Sequence, residues 1–344
     1  MKKIAVVGVY GTGPDFTTGQ AVKCYTLIDW LKTKYGGKNV KIVSTYRWKR
    51  NPIKLFFSLF IAVIRCKNIV IMPAQNGIRI FGPLVYRLNR LFHRGLHYIV
   101  IGGWLAEMLQ EKPKLKKCLQ RYDGIYVEMI SMQKKLNDIG LNNVYYMPNC
   151  RDVKLVDKGA ANYNLPINIC TYSRVVKEKG ILDAIEITRK ANAFLGDNVF
   201  HLDVYGKVAS EFQTEFDEAL KCNEDIVAYK GCKNADETIQ TLSGYFALLF
   251  PTYYEGEGFA GTILDGFAAQ VPVIANDWKY NSEIIESGVN GMVYPYRDVE
   301  KAAEMLVELY KNKDLYRHLQ ENCKKSSIRY STDTVMQEFA GLLK

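Results

Sequence analysis

Two doubly wound α/β domains, each a parallel sheet covered by helices on both faces, are the fold this sequence predicts. Three observations predict it. Short runs rich in Val, Ile and aromatic residues alternate with segments of helical period along the whole chain. At 344 residues the chain is longer than one hydrophobic core usually serves. The alternation also restarts after Asp152 to Pro166, where Gly159, Ala160, Ala161 and Asn162 mark a linker.

The first strand is expected at Lys3 to Val9, because its apolar run stops at Gly11-Thr12-Gly13-Pro14 without a cleavage-site pattern, which reads as a buried strand and not a signal peptide. Further strands are expected at Val40 to Thr45, Ile69 to Met72, Tyr98 to Ile101, Gly124 to Val127 and Val144 to Met147. Helices fall between them near Gly19 to Tyr35, Lys54 to Arg65, Ile80 to Phe92 and Met132 to Ile139. The second half repeats the pattern with strands at Ile167 to Tyr172, Phe200 to Tyr205, Ile226 to Tyr229, Ala247 to Phe250, Val273 to Ala275 and Gly291 to Tyr294, and Thr332 to Leu343 closes the chain as a helix. Strands separated by helices must run parallel and be covered on both faces. Ligands in such sheets bind at the carboxyl ends of strands.

Charge divides the chain. Residues 1–150 hold 24 Lys and Arg against 7 Asp and Glu, hence +17, whereas the remainder holds 22 against 29, hence −7. No acid occurs between Asp29 and Glu107. Within that gap an apolar run from Leu55 to Ile64 is bracketed by Arg47, Lys49, Arg50, Lys54, Arg65 and Lys67, and Tyr86 to Arg94 repeats the mixture of aromatic and basic residues. Ten residues are too few to span a bilayer, which takes roughly 20 in a helix. Two readings stay open: a core helix with solvated ends, or a face that rests on an anionic membrane surface. Nucleic acid ranks below both, since no nucleic-acid motif accompanies the charge. The eight cysteines form no C-x-x-C pair and read as reduced and mostly buried, which with the absence of a signal peptide points to the cytoplasm.

The densest motif is Tyr253 to Trp278. It sets Glu257 and Asp265 eight positions apart around Gly258, Phe259, Ala260, Gly261 and Thr262, a small-residue turn that feeds a helix. A helix start offers unpaired N–H groups and a positive dipole end, and small side chains let an anion approach the backbone. This suits a diphosphate, with Glu257 just before the helix and Asp265 about two turns into it. A second block, Ile167 to Ile181, ends a buried strand in Ser173-Arg174 and opens a helix at Lys179-Gly180. Two cations there would neutralise the charge that grows on a departing diphosphate.

These two blocks resemble the Glu-x7-Glu signature and the Gly-Arg-x4-Lys-Gly pattern of retaining glycosyltransferases of family 4, which have the GT-B fold. Weaker matches follow in order at Met147-Pro148-Asn149, Val204-Tyr205-Gly206, Ser282-Glu283-Ile284-Ile285 and Gly288-Val289-Asn290-Gly291. The resemblance implies two Rossmann-like domains facing a cleft: an acceptor-side domain at 1–152, joined by the final helix from 330–344, and a nucleotide-sugar-binding domain at 153–329. It implies a metal-independent, retaining hexosyltransferase that builds cell-surface or capsular polysaccharide on a glycan or lipid-linked acceptor, peripheral at the inner face of the cell membrane. Glu257, Arg174 and Lys179 are the implied catalytic residues. Gly13, Arg174, Lys179, Gly258 to Thr262 and Asp265 are the implied donor contacts, with Asp265 standing where the family has Glu for the ribose hydroxyls.

Acceptor-side residues are expected at Gly103 and Trp104, which follow a buried strand. Trp104 either stacks on a sugar ring or caps the core. No histidine follows that strand, as His97 precedes it, and the family's sugar-positioning histidine is therefore missing. Gly8, Gly11 and Gly13 are spaced G-x-x-G-x-G, and the second strand ends without the acid a nicotinamide enzyme needs, so this loop reads as a donor-facing loop or a plain tight turn. No Asp-x-Asp motif is present, which predicts neither metal nor cofactor. The alternatives are a GT-B sugar-nucleotide epimerase and a non-catalytic sugar-nucleotide-binding scaffold.

Overall fold

The computed structural model describes residues 2–11, 19–152, 158–159, 163–234 and 236–344. Gly13, Thr17 and Thr18, together with much of the expected linker, lie outside the described residues. The chain divides into two compact units, one made of 1–149 and 332–344, the other of 150–331.

Unit 1 runs β1 (Lys2–Gly8), α1 (Gly19–Tyr35), β2 (Val40–Ser44), α2 (Pro52–Arg65), β3 (Cys66–Ile71), α3 (Gln75–Asn89), β4 (Gly95–Ile99), α4 (Leu105–Glu111), α5 (Pro113–Leu119), β5 (Gly124–Val127), α6 (Ile130–Asp138) and β6 (Val144–Tyr146). Its sheet has the order β2-β1-β3-β4-β5-β6 and every pair is parallel. Parallel strands buried on both faces are continuous apolar runs, and Ile4–Val7 of β1, Ile69–Ile71 of β3 and all of β5 are that. Right-handed crossovers put α1 on one face, because β1 to β2 steps one way, and α2, α3 and α5 on the other, because the later connections step back.

Between β4 and β5 the chain carries two short helices not among those expected, α4 and α5, split at Pro113, which lacks the N–H to continue a helix and so opens the second one. His97 does not precede its strand: it lies inside β4, 1% exposed, with its ring nitrogens within hydrogen-bond distance of Tyr126 Oη (2.9 Å) and Asn68 Oδ1 (3.2 Å).

Unit 2 runs β7 (Ile167–Tyr172), α7 (Ile181–Leu195), β8 (Phe200–Tyr205), α8 (Gln213–Cys222), β9 (Val227–Gly231), α9 (Thr238–Ser243), β10 (Leu248–Phe250), α10 (Gly261–Ala268), β11 (Val273–Asn276), α11 (Asn281–Ile284), β12 (Gly291–Tyr294), α12 (Val299–Lys311) and α13 (Lys313–Arg329). Its parallel sheet has the order β12-β11-β10-β7-β8-β9. The core packs α7 and α12 on one face, with Phe200, Phe246 and Tyr316 among its large side chains. The last helix, α14 (Thr332–Gly341), belongs to unit 1, where Phe339 packs edge-on against Tyr126 and Trp30 Nε1 donates to Asp333. All eight cysteines are free thiols; five are buried, Cys118 is intermediate, and Cys222 and Cys232 are exposed.

Candidate active site

In unit 2 the strand order reverses between β7 and β10, and their carboxyl ends flank the crevice where doubly wound sheets bind ligands. Both sequence blocks empty into it. β7 ends at Tyr172, Ser173 and Arg174 follow, and a short 3-10 turn at Lys177–Lys179 leads through Gly180 into α7. Gly180 has a φ of 71°, and a Cβ there would strike the carbonyl of Pro251 after β10. Only glycine lets the two loops close on one another.

That closure brings Lys179 against Glu257, with Nζ to Oε2 at 2.5 Å and both side chains 11% exposed. Thr252 Oγ1 donates to the same oxygen at 2.9 Å, and its own backbone carbonyl accepts from the Asn276 amide at 3.2 Å. The carboxylate is thus held by a cation and a buried hydroxyl. The ammonium also lies 5.2 Å from the centre of the Tyr254 ring. Arg174 faces the same ring at 5.3 Å, is exposed, and has no ion-pair partner among the described residues. The crevice therefore offers one free guanidinium and one ammonium whose charge is shared.

α10 starts at Gly261, with Ala260 as an N-cap that supplies no side-chain acceptor. The Ile263 N–H turns back to the Ala260 carbonyl at 3.2 Å, which leaves the Gly261 and Thr262 N–H groups for a ligand or water. Phe259 and Ala260 are buried, Phe259 packing edge-on against Tyr330, so only their backbone faces a ligand. Thr262 Oγ1 donates to the Tyr172 carbonyl and ties the helix start to the end of β7.

Asp265 is the fifth residue of α10, one turn in and not two, because the helix begins at Gly261 and includes nothing of the preceding turn. Its carboxylate accepts from Arg151 Nε at 2.8 Å. Burial, the larger influence, raises the Asp265 pKa, and Arg151 opposes it. A side chain at 261 would collide with the Arg151 guanidinium, so that cation lies directly over the start of α10. Arg151, 114 residues from its partner and just before the stretch read as linker, carries no local signal in the sequence.

Gly103 and Trp104 follow β4 in unit 1. Trp104 stands at the N-cap of α4, half-buried, and its indole N–H donates to the Ile101 carbonyl at 2.8 Å. Near them is a pair that sequence reasoning missed: Lys23 on α1 meets Glu128 after β5 at 2.6 Å, with side chains 5% and 7% exposed. The other Glu128 oxygen accepts from the Gly102 N–H at 3.4 Å.

Residues 157–326 match the family glycosyl transferases group 1. The putative glycosyltransferase EpsD of Bacillus subtilis is 28% identical over 137 residues, 40% of this chain and 34% of that protein. The amylovoran biosynthesis glycosyltransferase AmsK of Erwinia amylovora is 25% identical over 186 residues, 53% of this chain and 44% of that one. The matches thus span a third to under a half of those relatives. Among solved structures, Anabaena HepE in complex with UDP superposes with a TM-score of 0.75 at 14% identity over 99% of both chains. Residues 157–326 are therefore a glycosyl transferases group 1 domain, and the chain as a whole has the GT-B fold.

Proposed function

We propose that this protein is a retaining, metal-independent glycosyltransferase of family 4 that moves a hexose from a nucleotide-diphosphate sugar to a glycan or lipid-linked acceptor in the synthesis of a cell-surface polysaccharide. The observation that carries this reading is the unit 2 crevice. There Arg174, the Lys179–Glu257 pair and the uncapped start of α10 converge on the carboxyl ends of β7 and β10. HepE, with the same fold, is known in complex with UDP-glucose, and AmsK is named for amylovoran biosynthesis; both support the donor and product classes.

Arg174 and Lys179 would meet the diphosphate, and the N–H groups around Gly258 to Thr262 would hold it together with the donor sugar. Charge grows on the leaving phosphate as the bond to the sugar's anomeric carbon breaks, so cations and dipoles already aimed there act on the transition state. No side chain of the crevice is placed as a covalent nucleophile. In a front-face displacement the acceptor oxygen bonds the anomeric carbon on the side the phosphate leaves, and a phosphate oxygen takes the acceptor proton. Glu257 orients the sugar and fixes the Lys179 ammonium. Asp265, once released by Arg151, would accept from the ribose hydroxyls. A lipid-linked acceptor requires work at a bilayer surface.

The test is a thermal-shift panel of nucleotide sugars followed by turnover assays on the hits, with and without chelator. Glu257→Gln should keep nucleotide affinity and lower turnover at least about tenfold, about 1.4 kcal/mol of transition-state stabilisation. Nucleotide-sugar binding without any turnover in the wild type would favour the scaffold. An absolute requirement for a divalent ion would remove the metal-free mechanism.

A further inference from the structure

Two positive features face one another at the start of α10. The helix opens with the positive end of its dipole and with the Gly261 and Thr262 N–H groups unbonded among the described residues. Over that same turn lies the Arg151 guanidinium, whose Nη2 stands where a Cβ at position 261 would have to go. An ion pair that served only to hold α10 in place would be more favourable with its cation at the other end of the helix, where the dipole is negative. Here the cation stands where the helix repels it.

Arg151 is fixed in that position by its surroundings, all of them in unit 2. Its backbone N–H donates to the Tyr330 carbonyl at 3.1 Å, and the Tyr330 ring packs against Phe259 before the helix and Phe267 within it. Nε donates to Asp265 Oδ1 at 2.8 Å and Nη1 to the Cys150 carbonyl at 3.3 Å. Nη2 makes no hydrogen bond with a described residue. The Arg151 and Asp265 side chains are 29% and 16% exposed, so solvent and ligands reach this pair, unlike Lys23–Glu128.

We propose that Arg151 is a third cation of the donor site: a phosphate oxygen of the nucleotide-diphosphate sugar rests on the Gly261 and Thr262 N–H groups and on Arg151 Nη2, and draws the guanidinium off Asp265, whose carboxylate then takes the ribose hydroxyls. This deepens the proposed donor chemistry, on which it rests, and gives a part in it to a residue that no sequence motif carries. The N–H groups of Gly261, Thr262 and Arg151 meet over one turn with no anion among them, and a phosphate is the anion suited to both a helix start and a guanidinium. Burial raises the Asp265 pKa, so a carboxylate deprived of its cation there needs new donors, which the ribose hydroxyls are. The exchange makes recognition conditional. While Asp265 holds Arg151 the ribose contact is closed; a nucleoside has nothing to open it with, whereas a nucleoside diphosphate opens it as it binds. A plug that merely filled the crevice would need no unbonded N–H over the helix start.

The experiment is titration calorimetry of the full chain with UDP, ADP and GDP, each beside its nucleoside, on wild type, Arg151→Ala and Arg151→Gln. The glutamine keeps an N–H for Asp265 and removes the charge, so it serves if the alanine variant fails to fold. For the base that wild type prefers, both variants should bind the diphosphate at least about tenfold more weakly, the loss of one charged hydrogen bond. Both should bind the nucleoside as tightly as wild type or more tightly. A residue that only props the site could not separate the two ligands. The proposal is overturned if the diphosphate binds the variants as tightly as wild type or more so, which makes Arg151 a bystander or a plug. It is also overturned if the nucleoside weakens alongside the diphosphate, which makes it a prop. A wild type that binds no nucleoside diphosphate removes the donor chemistry and this inference with it, whereas binding lost in the Arg174→Ala, Lys179→Ala variant and kept in both Arg151 variants removes this inference alone.

Discussion

The two units are both six-stranded parallel sheets wound with helices, though with different strand orders, and they use charge in opposite ways. Residues 1–150 carry a net +17, yet beside the carboxyl end of β5 the Lys23 ammonium is neutralised by Glu128 and sealed from solvent. The rest of the chain is −7 overall, yet its crevice gathers Arg151, Arg174 and Lys179. Net charge therefore describes the outside of each unit, and the helices of unit 1 wear theirs outward. The chemistry at a switch point is set by which loops feed it. A charge pair left 11% exposed beside an uncapped helix can exchange partners with a ligand. One closed by burial holds the fold together.

The largest expected effect follows from that contrast. Lys23→Ala leaves Glu128 buried without its cation and should cost unit 1 about 3–5 kcal/mol in denaturant unfolding. Lys179→Ala should cost less than half as much, because Glu257 retains the Thr252 hydroxyl and a route to water. Equal losses would erase the distinction between a sealed pair and an exchangeable one.

Acid should separate the units next. Burial, opposed by Asp123, lowers the His97 pKa from 6.5 to about 4. Between those values the unfolded chain binds the proton that the folded one refuses, so stability falls as pH drops from about 6.5 towards 4, by up to about 3 kcal/mol. His97→Gln should flatten that slope for unit 1 and leave unit 2 unchanged. An unaltered pH profile would show that His97 does not carry it.

Much of this architecture was legible in the residues. Gly19–Tyr35, Ile167–Tyr172, Phe200–Tyr205 and Gly291–Tyr294 match their expected bounds because buried parallel strands and the long first helix have few competing periods. The helices at 105–119 were hidden by their shortness and by Pro113 between them. In the crevice, Arg174, Lys179, Glu257 and Asp265 were visible because each sits in a local motif. Arg151 and the Lys23–Glu128 pair were not, since their partners lie 114 and 105 residues away and only the fold brings them together. Periodicity also left open how α2 sits, since a helix apolar on every side has no preferred face until its neighbours are in place.

The smallest expected effect bears on the central claim, that the unit 2 crevice holds a nucleotide diphosphate. Titration calorimetry of UDP and the other nucleoside diphosphates into the wild type should identify a ligand, and the Arg174→Ala, Lys179→Ala double variant should bind it at least about tenfold more weakly, a loss of about 1.4 kcal/mol, with its unfolding still cooperative. An unchanged affinity in a folded double variant would contradict the account, because no diphosphate would then be resting on those two cations.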